Sequence, residues 1–252
     1  MQRNHSIRLA VCALVCFVLF AAVFVVPPAT RVAAANTTYY VDSAAGSDSN
    51  AGTSTAAPWK SIAKVNAKTN YGPGDQILFK AGGSWTGSVA IRNSGASGNP
   101  IVIGSYGTGP KPIINANAAY AAINLENVQY ITLQDLELTN FKAAAPDDYL
   151  TGYYRRSGIW IKAFHQGPMH DITIRNMDIH DVTGMSLNGE TTVTTTDGKD
   201  KDVNKNANAA IQINGWEWET GQPIAYFDNL VIEDNYIHDV STMGININAA
   251  SS

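Results

Sequence analysis

Beyond residue 35 this 252-residue chain contains no cysteine. Cys12 and Cys16 both fall in an N-terminal apolar run, so the rest has no thiol for a disulfide, a zinc-thiolate site or a nucleophile. Basic side chains are scarce as well. Without Arg3, Arg8 and Arg31, 14 Lys and Arg face 21 Asp and Glu, a formal charge of −7. That balance excludes the electrostatic footprint of nucleic-acid binding. Long amphipathic helices are missing too. Asn, Thr, Ser, Ala and Gly interrupt short Ile, Val and Leu runs, a texture of many short strands and turns.

The long apolar run, Leu9 to Val26, follows Arg3 and Arg8 and precedes Pro27, Pro28 and Ala33-Ala34-Ala35. It reads as a signal peptide over residues 1–35, cut after Ala35. At 18 residues it would also just suffice as a retained anchor. Either outcome places residues 36–252 outside the cell, as a secreted, extracellular chain with no membrane contact after cleavage. Those 217 residues are enough for one monomeric domain whose core needs no disulfide.

Self-similarity organises this domain. One segment occurs three times, as ITLQDLELTNF from Ile131, ITIRNMDIHDV from Ile172 and LVIEDNYIHDV from Leu230. A shorter one occurs four times, as AINL, GIWI, AIQI and GINI, ending at Leu125, Ile161, Ile213 and Ile247. The two alternate. In the longer segment the apolar positions (Ile172, Ile174, Met177, Ile179, Val182) alternate within pairs and slip by one between them. This predicts two short strands joined by a bend at Asp135, Asn176 or Asp234. The third copy departs once, with Asn235 at an apolar position. The shortest steps between segments, 8 and 15 residues, give a minimal turn of 23, within the range of stacked solenoid repeats. Longer spacings reflect loop insertions.

Upstream, YYVD (39–42), QILFK (76–80) and SVAIR (88–92) read as strands and WKSIAKVNA (59–67) as a short helix that caps the first turn. No comparable cap follows GININ, so residues 36–252 are expected to be the truncated N-terminal part of a longer solenoid.

The stretch YYVDSAAGSDSNAGTSTAAPWKSI, with PGDQILFKAGGSW after it, resembles the opening of secreted bacterial β-helix proteins of the pectate-lyase-like superfamily. RRSGIWIKAF and MHDITIRNMDIHDV (within 155–182) are similar to a turn of their large carbohydrate-active members. The resemblance implies an all-β fold, a right-handed parallel β-helix with a short N-terminal capping helix, and a polysaccharide as partner. It does not select one activity, since lyases, hydrolases and adhesins share the fold.

Stacking the shorter segment in register gives two outward columns, Asn124, Trp160, Gln212, Asn246 and Glu126, Lys162, Asn214, Asn248, flanked by long insertions. Trp160, Trp216 and Trp218, with Tyr149, Tyr153 and Tyr154 nearby, offer flat faces to sugar rings, and the amides offer paired donors and acceptors. Glu217 and Glu219 share a loop with Trp216. For a β-elimination on an acidic glycan, Lys162, Arg155 or Arg156 would act as base or charge neutraliser, with His165 as a further candidate. This lyase reading is the leading expectation. The alternatives are a glycoside hydrolase, which needs two carboxylates such as Glu137 and Asp178, and a carbohydrate-binding protein without chemistry. His180 and His238 suggest a turn ladder, a relay or a metal site. Asp42 and Asp48 in GSDSNAGT offer oxygens to a calcium ion without the spacing of a helix-loop-helix site, and turn capping competes for them.

Overall fold

A computed structural model describes residues 36–142, 156–184, 192–194, 200–202, 208–216 and 223–248. The expected leader, residues 1–35, lies outside them. Among the described residues no helix is long and apolar enough to cross a membrane.

The chain coils as a parallel β-helix, three strands to a coil. A leading strand, β1 (Thr38–Val41), and one helix, α1 (Ile62–Ala67), precede the first full coil of β2 (Gln76–Lys80), β3 (Ser84–Thr86) and β4 (Val89–Ile91). The second coil is β5 (Ile101–Tyr106), β6 (Ile113–Asn115) and β7 (Ala121–Glu126). The third is β8 (Ile131–Gln134), β9 (Glu137–Asn140) and β10 (Ser157–Phe164). The fourth runs through β11 (Met169–Arg175) and β12 (Asp178–Val182). It then passes a small antiparallel pair, β13 (Thr192–Thr194) and β14 (Asp200–Asp202), before β15 (Ala209–Trp216). The fifth is β16 (Phe227–Glu233), β17 (Tyr236–Ile237) and β18 (Met243–Asn248). Like strands stack into three parallel sheets: β1-β2-β5-β8-β11-β16, β3-β6-β9-β12-β17 and β4-β7-β10-β15-β18.

The register puts like on like. Ile77, Ile103, Leu133, Ile174 and Ile232 form one inward column. Val89, Ile123, Ile159, Ile211 and Ile245 form another, and Trp85, Ile114, Leu138, Ile179 and Ile237 a third. Each fully buried aliphatic side chain contributes about 1.5–3 kcal/mol, so the columns are the main source of stability. In the fifth coil the inward Ile245 and Ile247 remain 45 % and 53 % exposed.

The bends between strands fall where the repeats placed them. Asp135, Asn176 and Asp234 all adopt a left-handed backbone (φ 59, 48 and 54), which Asx residues tolerate best after glycine. The corner entering the third sheet admits only small residues, Ala122, Gly158, Ala210 and Gly244. A Cβ on Gly158 would meet the Ile179 side chain at 2.5 Å. Asn235, the departure from the apolar pattern, replaces packing with hydrogen bonds, accepting from Met177 N at 2.9 Å and donating to Ile174 O at 3.0 Å.

One expected column differs. Equivalent positions of the repeats ITLQDLELTNF and ITIRNMDIHDV put Asn140 beside Asp181 and Phe141 beside Val182, but a bulge at Asp181 (φ 51) shifts the register so that Val182 pairs with Asn140. Asn140 is therefore buried, bonded to Ala118 N, Ala119 O and Ser157 O, and Phe141 is turned out at 56 % exposure.

The N-terminal end is closed as expected for a cap. Ser61 caps α1 by accepting from Lys64 N, and the helix buries Ile62 and Val65. Asn66 bonds to Ser88 O and Ala90 N and so satisfies the open edge of β4. Trp59 bridges to β1 and stacks on Tyr39 at 4.8 Å. The acidic loop serves this cap. Asp48 accepts from Lys60 N, Ser61 N and Ser61 Oγ, and Asp42 from Ala44 N, Ala45 N and Lys80 Nζ. Burial opposes ionisation of Asp48, but those hydrogen bonds outweigh it and hold the carboxyl below its ordinary value.

Two outcomes follow from this packing. Ile174→Ala should cost about 2–5 kcal/mol in denaturant unfolding, whereas Thr173→Ala on the outer face should stay within roughly 0.5 kcal/mol. Because the folded pKa of Asp48 is depressed, its contribution is present above the unfolded value and lost as pH falls. The melting-temperature gap between wild type and Asp48→Asn should therefore close below about pH 4.

Candidate functional site

The third sheet carries the two outward columns in the expected order. Trp160 pairs with Asn124 on one side and Gln212 on the other, and Gln212 with Asn246. Lys162 lies between Glu126 and Asn214, with Asn248 beyond. The side chains interlock across coils. Trp160 Nε1 donates to Asn214 Oδ1 at 2.8 Å, Gln212 Nε2 donates to the same oxygen at 3.1 Å, and Asn246 Nδ2 donates to Gln212 Oε1 at 3.1 Å.

This face is more closed than an open groove. Trp160 is 9 % exposed, Asn214 5 % and Gln212 fully buried, while Asn248 is exposed. Among the described residues of this face the accessible aromatic is Tyr120, 54 % exposed and set edge-on against Trp160 at 5.8 Å. Sequence reasoning passed over Tyr120. Its signal was its place just before AAINL, at the entry to the sheet. Asn124 Oδ1 is buried without a hydrogen-bond partner among the described residues, an acceptor that a hydroxyl would satisfy.

The charged pair in the second column is tightly made. Lys162 Nζ lies 2.8 Å from Glu126 Oε2 and 4.8 Å from the centre of the Trp160 ring. The Lys162 hydrogen bond holds the Glu126 carboxyl below its ordinary value, so Glu126 is ionised at neutral pH, suited to a base or nucleophile and unsuited to a general acid. Arg156 is placed elsewhere. It is fully buried, and its guanidinium donates to Thr183 O at 2.7 Å and Lys142 O at 3.2 Å, while its backbone N–H donates to Asn208 Oδ1. Lys142, Arg156, Thr183 and Asn208 are the roots of the two largest insertions, so Arg156 ties both to the coil. His165 is exposed in the turn after β10, with its ring against Phe164. Trp216 ends β15 opposite Phe164. Arg155, Glu217, Trp218, Glu219, Tyr149, Tyr153 and Tyr154 lie outside the described residues.

Glu137 and Asp178 do pair directly between β9 and β12, on the second sheet and not on this face. Of the candidates, the structure thus brings together Asn124, Glu126, Trp160, Lys162, Gln212, Asn214, Asn246 and Asn248. It sets Arg156 and His165 apart.

No family model matches the chain. Lacto-N-biosidase of Bifidobacterium longum is 32 % identical over 197 residues, covering 60 % of this chain. The chain spans only 12 % of that relative's length. Two crystal structures of GH136 lacto-N-biosidase from Eubacterium ramulus superpose on 83 % of the chain with TM-scores of 0.63 and 0.61, at 22 % and 23 % identity. The chain covers 36 % and 42 % of those structures, and the likeness establishes the fold. An alginate lyase from Paenibacillus overlaps at a TM-score of 0.32 and bears no weight.

Removing the Arg156 guanidinium would leave buried carbonyls unpaired. Arg156→Ala should cost about 2–4 kcal/mol in denaturant unfolding. A loss below about 0.5 kcal/mol would show that the insertions are held without it.

Proposed function

We propose that the chain supplies β-helix coils of an exported glycoside hydrolase that acts on a neutral oligosaccharide through the face of the third sheet. The carrying observation is the 32 % identity to lacto-N-biosidase, a hydrolase by name. The geometry of the cations supports the same choice over the β-elimination expected from sequence. A lyase must offset charge growing on a uronate carboxylate. Lys162 is already neutralised by Glu126, and Arg156 is buried on backbone carbonyls. The amides, the ionised Glu126 and the exposed ring of Tyr120 suit uncharged hydroxyls and a pyranose face. Export rests on the basic, apolar and small-residue pattern of residues 1–35.

In this reading Glu126 provides the carboxylate that stays ionised, and the proton donor comes from a second acid. Incubation of the full chain with a chromogenic lacto-N-biose glycoside should release the chromophore, with Tyr120→Ala raising KM and leaving the melting temperature unchanged. Absorbance from an unsaturated product on pectin or alginate would instead establish the lyase. Retention in glycan affinity gels with both assays blank would establish a binding protein.

A further inference from the structure

We propose that Asp178, His180 and His238, on the outer face of the second sheet, form a binding site for a divalent metal ion of the zinc type that clasps the fourth and fifth coils. One ligand atom from each of the three lies within 4.8 Å of the others. The site is separate from the glycan-facing columns of the third sheet and does not depend on the hydrolase reading.

The case rests on how the two imidazoles are held. His180 and His238 stack face to face, with ring centres 4.9 Å apart and planes 11° from parallel. In each, Nδ1 is engaged by the next residue, His180 with Asp181 at 2.8 Å and His238 with Asp239 at 2.7 Å. Both aspartates reach back because both adopt a left-handed backbone, φ 51 and 48. A carboxylate on Nδ1 fixes the tautomer and orients a metal-ligating histidine, leaving Nε2 as the ligand atom. Both Nε2 atoms point toward carboxylates of the preceding coil, His238 to Asp178 at 3.2 Å and His180 to Glu137 at 3.1 Å.

A ladder built only to cap turns would need one ring nitrogen of each histidine. Here each outer nitrogen is occupied by the following aspartate and each inner nitrogen faces a carboxylate of the preceding coil, so that both ring nitrogens are enlisted. Nitrogen and oxygen ligands of this kind, without thiolate, suit zinc or copper better than calcium. Zinc–nitrogen bonds of about 2.0–2.1 Å require ligand atoms roughly 3.3 Å apart, so binding would turn the two rings out of their parallel stack to bring both Nε2 atoms onto one ion. The three side chains are only 19–30 % exposed. Glu137 and Asp178 are also direct cross-strand partners, two like charges that need a cation beside them. The earlier coil has Thr139 in register with His180, so among the described coils the arrangement is confined to the fourth and fifth. There it bridges to β17, which is held to β12 by two residue pairs.

Titration of the full chain with Zn2+ in neutral buffer should reveal a site that raises the melting temperature and that is lost in His180→Ala/His238→Ala. Asp181→Asn and Asp239→Asn, which leave the ligands in place, should weaken it about tenfold. With Cu2+ as probe, the electron paramagnetic resonance spectrum should show coupling to two imidazole nitrogens in wild type and to one in His238→Gln. Zinc binding of unchanged strength and stoichiometry in the double variant, folded by circular dichroism, would overturn the proposal. So would a copper spectrum insensitive to His238→Gln.

Discussion

The lateral register of the coils governs everything else in this molecule. A strand of a parallel β-helix has its own like above and below it, about 4.8 Å away. A residue's environment is therefore set mostly by the residue one coil earlier. Inward positions become aliphatic columns, and a polar intrusion survives only if it reproduces backbone hydrogen bonding, as Asn235 and Asn140 do. The corner entering the third sheet carries Ala or Gly in four successive coils, and it is tightest at Gly158, where a Cβ would meet Ile179. Insertions are confined to the junctions between strands, where no register has to be kept. Arg156 shows what holding two of them together requires: a buried guanidinium spanning backbone carbonyls from both roots.

That same periodicity made much of the fold legible in the sequence. Ile131, Ile172 and Leu230 are exact register partners, and the Asx bends sit where the slip in alternation placed them. In the second coil β7 was found as the first short segment, but β5 and β6 escaped notice because a glycine-proline loop, Gly107 to Pro110, separates them in place of the Asx bend that marks the later copies. The Asn140 column was misaligned because one residue, Asp181, leaves the ladder in a bulge, and a bulge has no composition of its own.

The candidate site was legible in its order and not in its depth. Register alone put Trp160 beside Gln212 and Lys162 beside Glu126. Burial of the outer face depends on how its side chains interlock from coil to coil, and no strand periodicity encodes that. Trp160 therefore reads as a sugar platform in sequence but spends its indole N–H on Asn214 in the structure, leaving Tyr120 as the exposed ring among the described residues of the face. The cations shifted in meaning for a related reason. A lysine counted from composition is a free charge, whereas one stacked over Glu126 is half of a neutral pair.

Stacking also constrains which polar residues can share an outward column. Like charges directly opposite on neighbouring strands destabilise the pair, so a column must be uncharged or must alternate in sign. The Glu126–Lys162–Asn214–Asn248 column alternates and then turns to amides, and Gln134–Arg175–Glu233 places its cation beside an acid. Glu137 over Asp178 breaks this rule. What compensates is the adjacent column, where His180 and His238 each approach one of these carboxylates. Burial alone would push His180 down. Its hydrogen bonds to Asp181 and Glu137 and the nearby carboxylate charges prevail, holding the imidazole above its ordinary value. The acids and histidines of this face thus form one electrostatic unit, in which each of the stacked carboxylates has an imidazole nitrogen within hydrogen-bond reach. Two acids in register are destabilising on their own, and the histidines of the adjacent column are what this fold sets beside them.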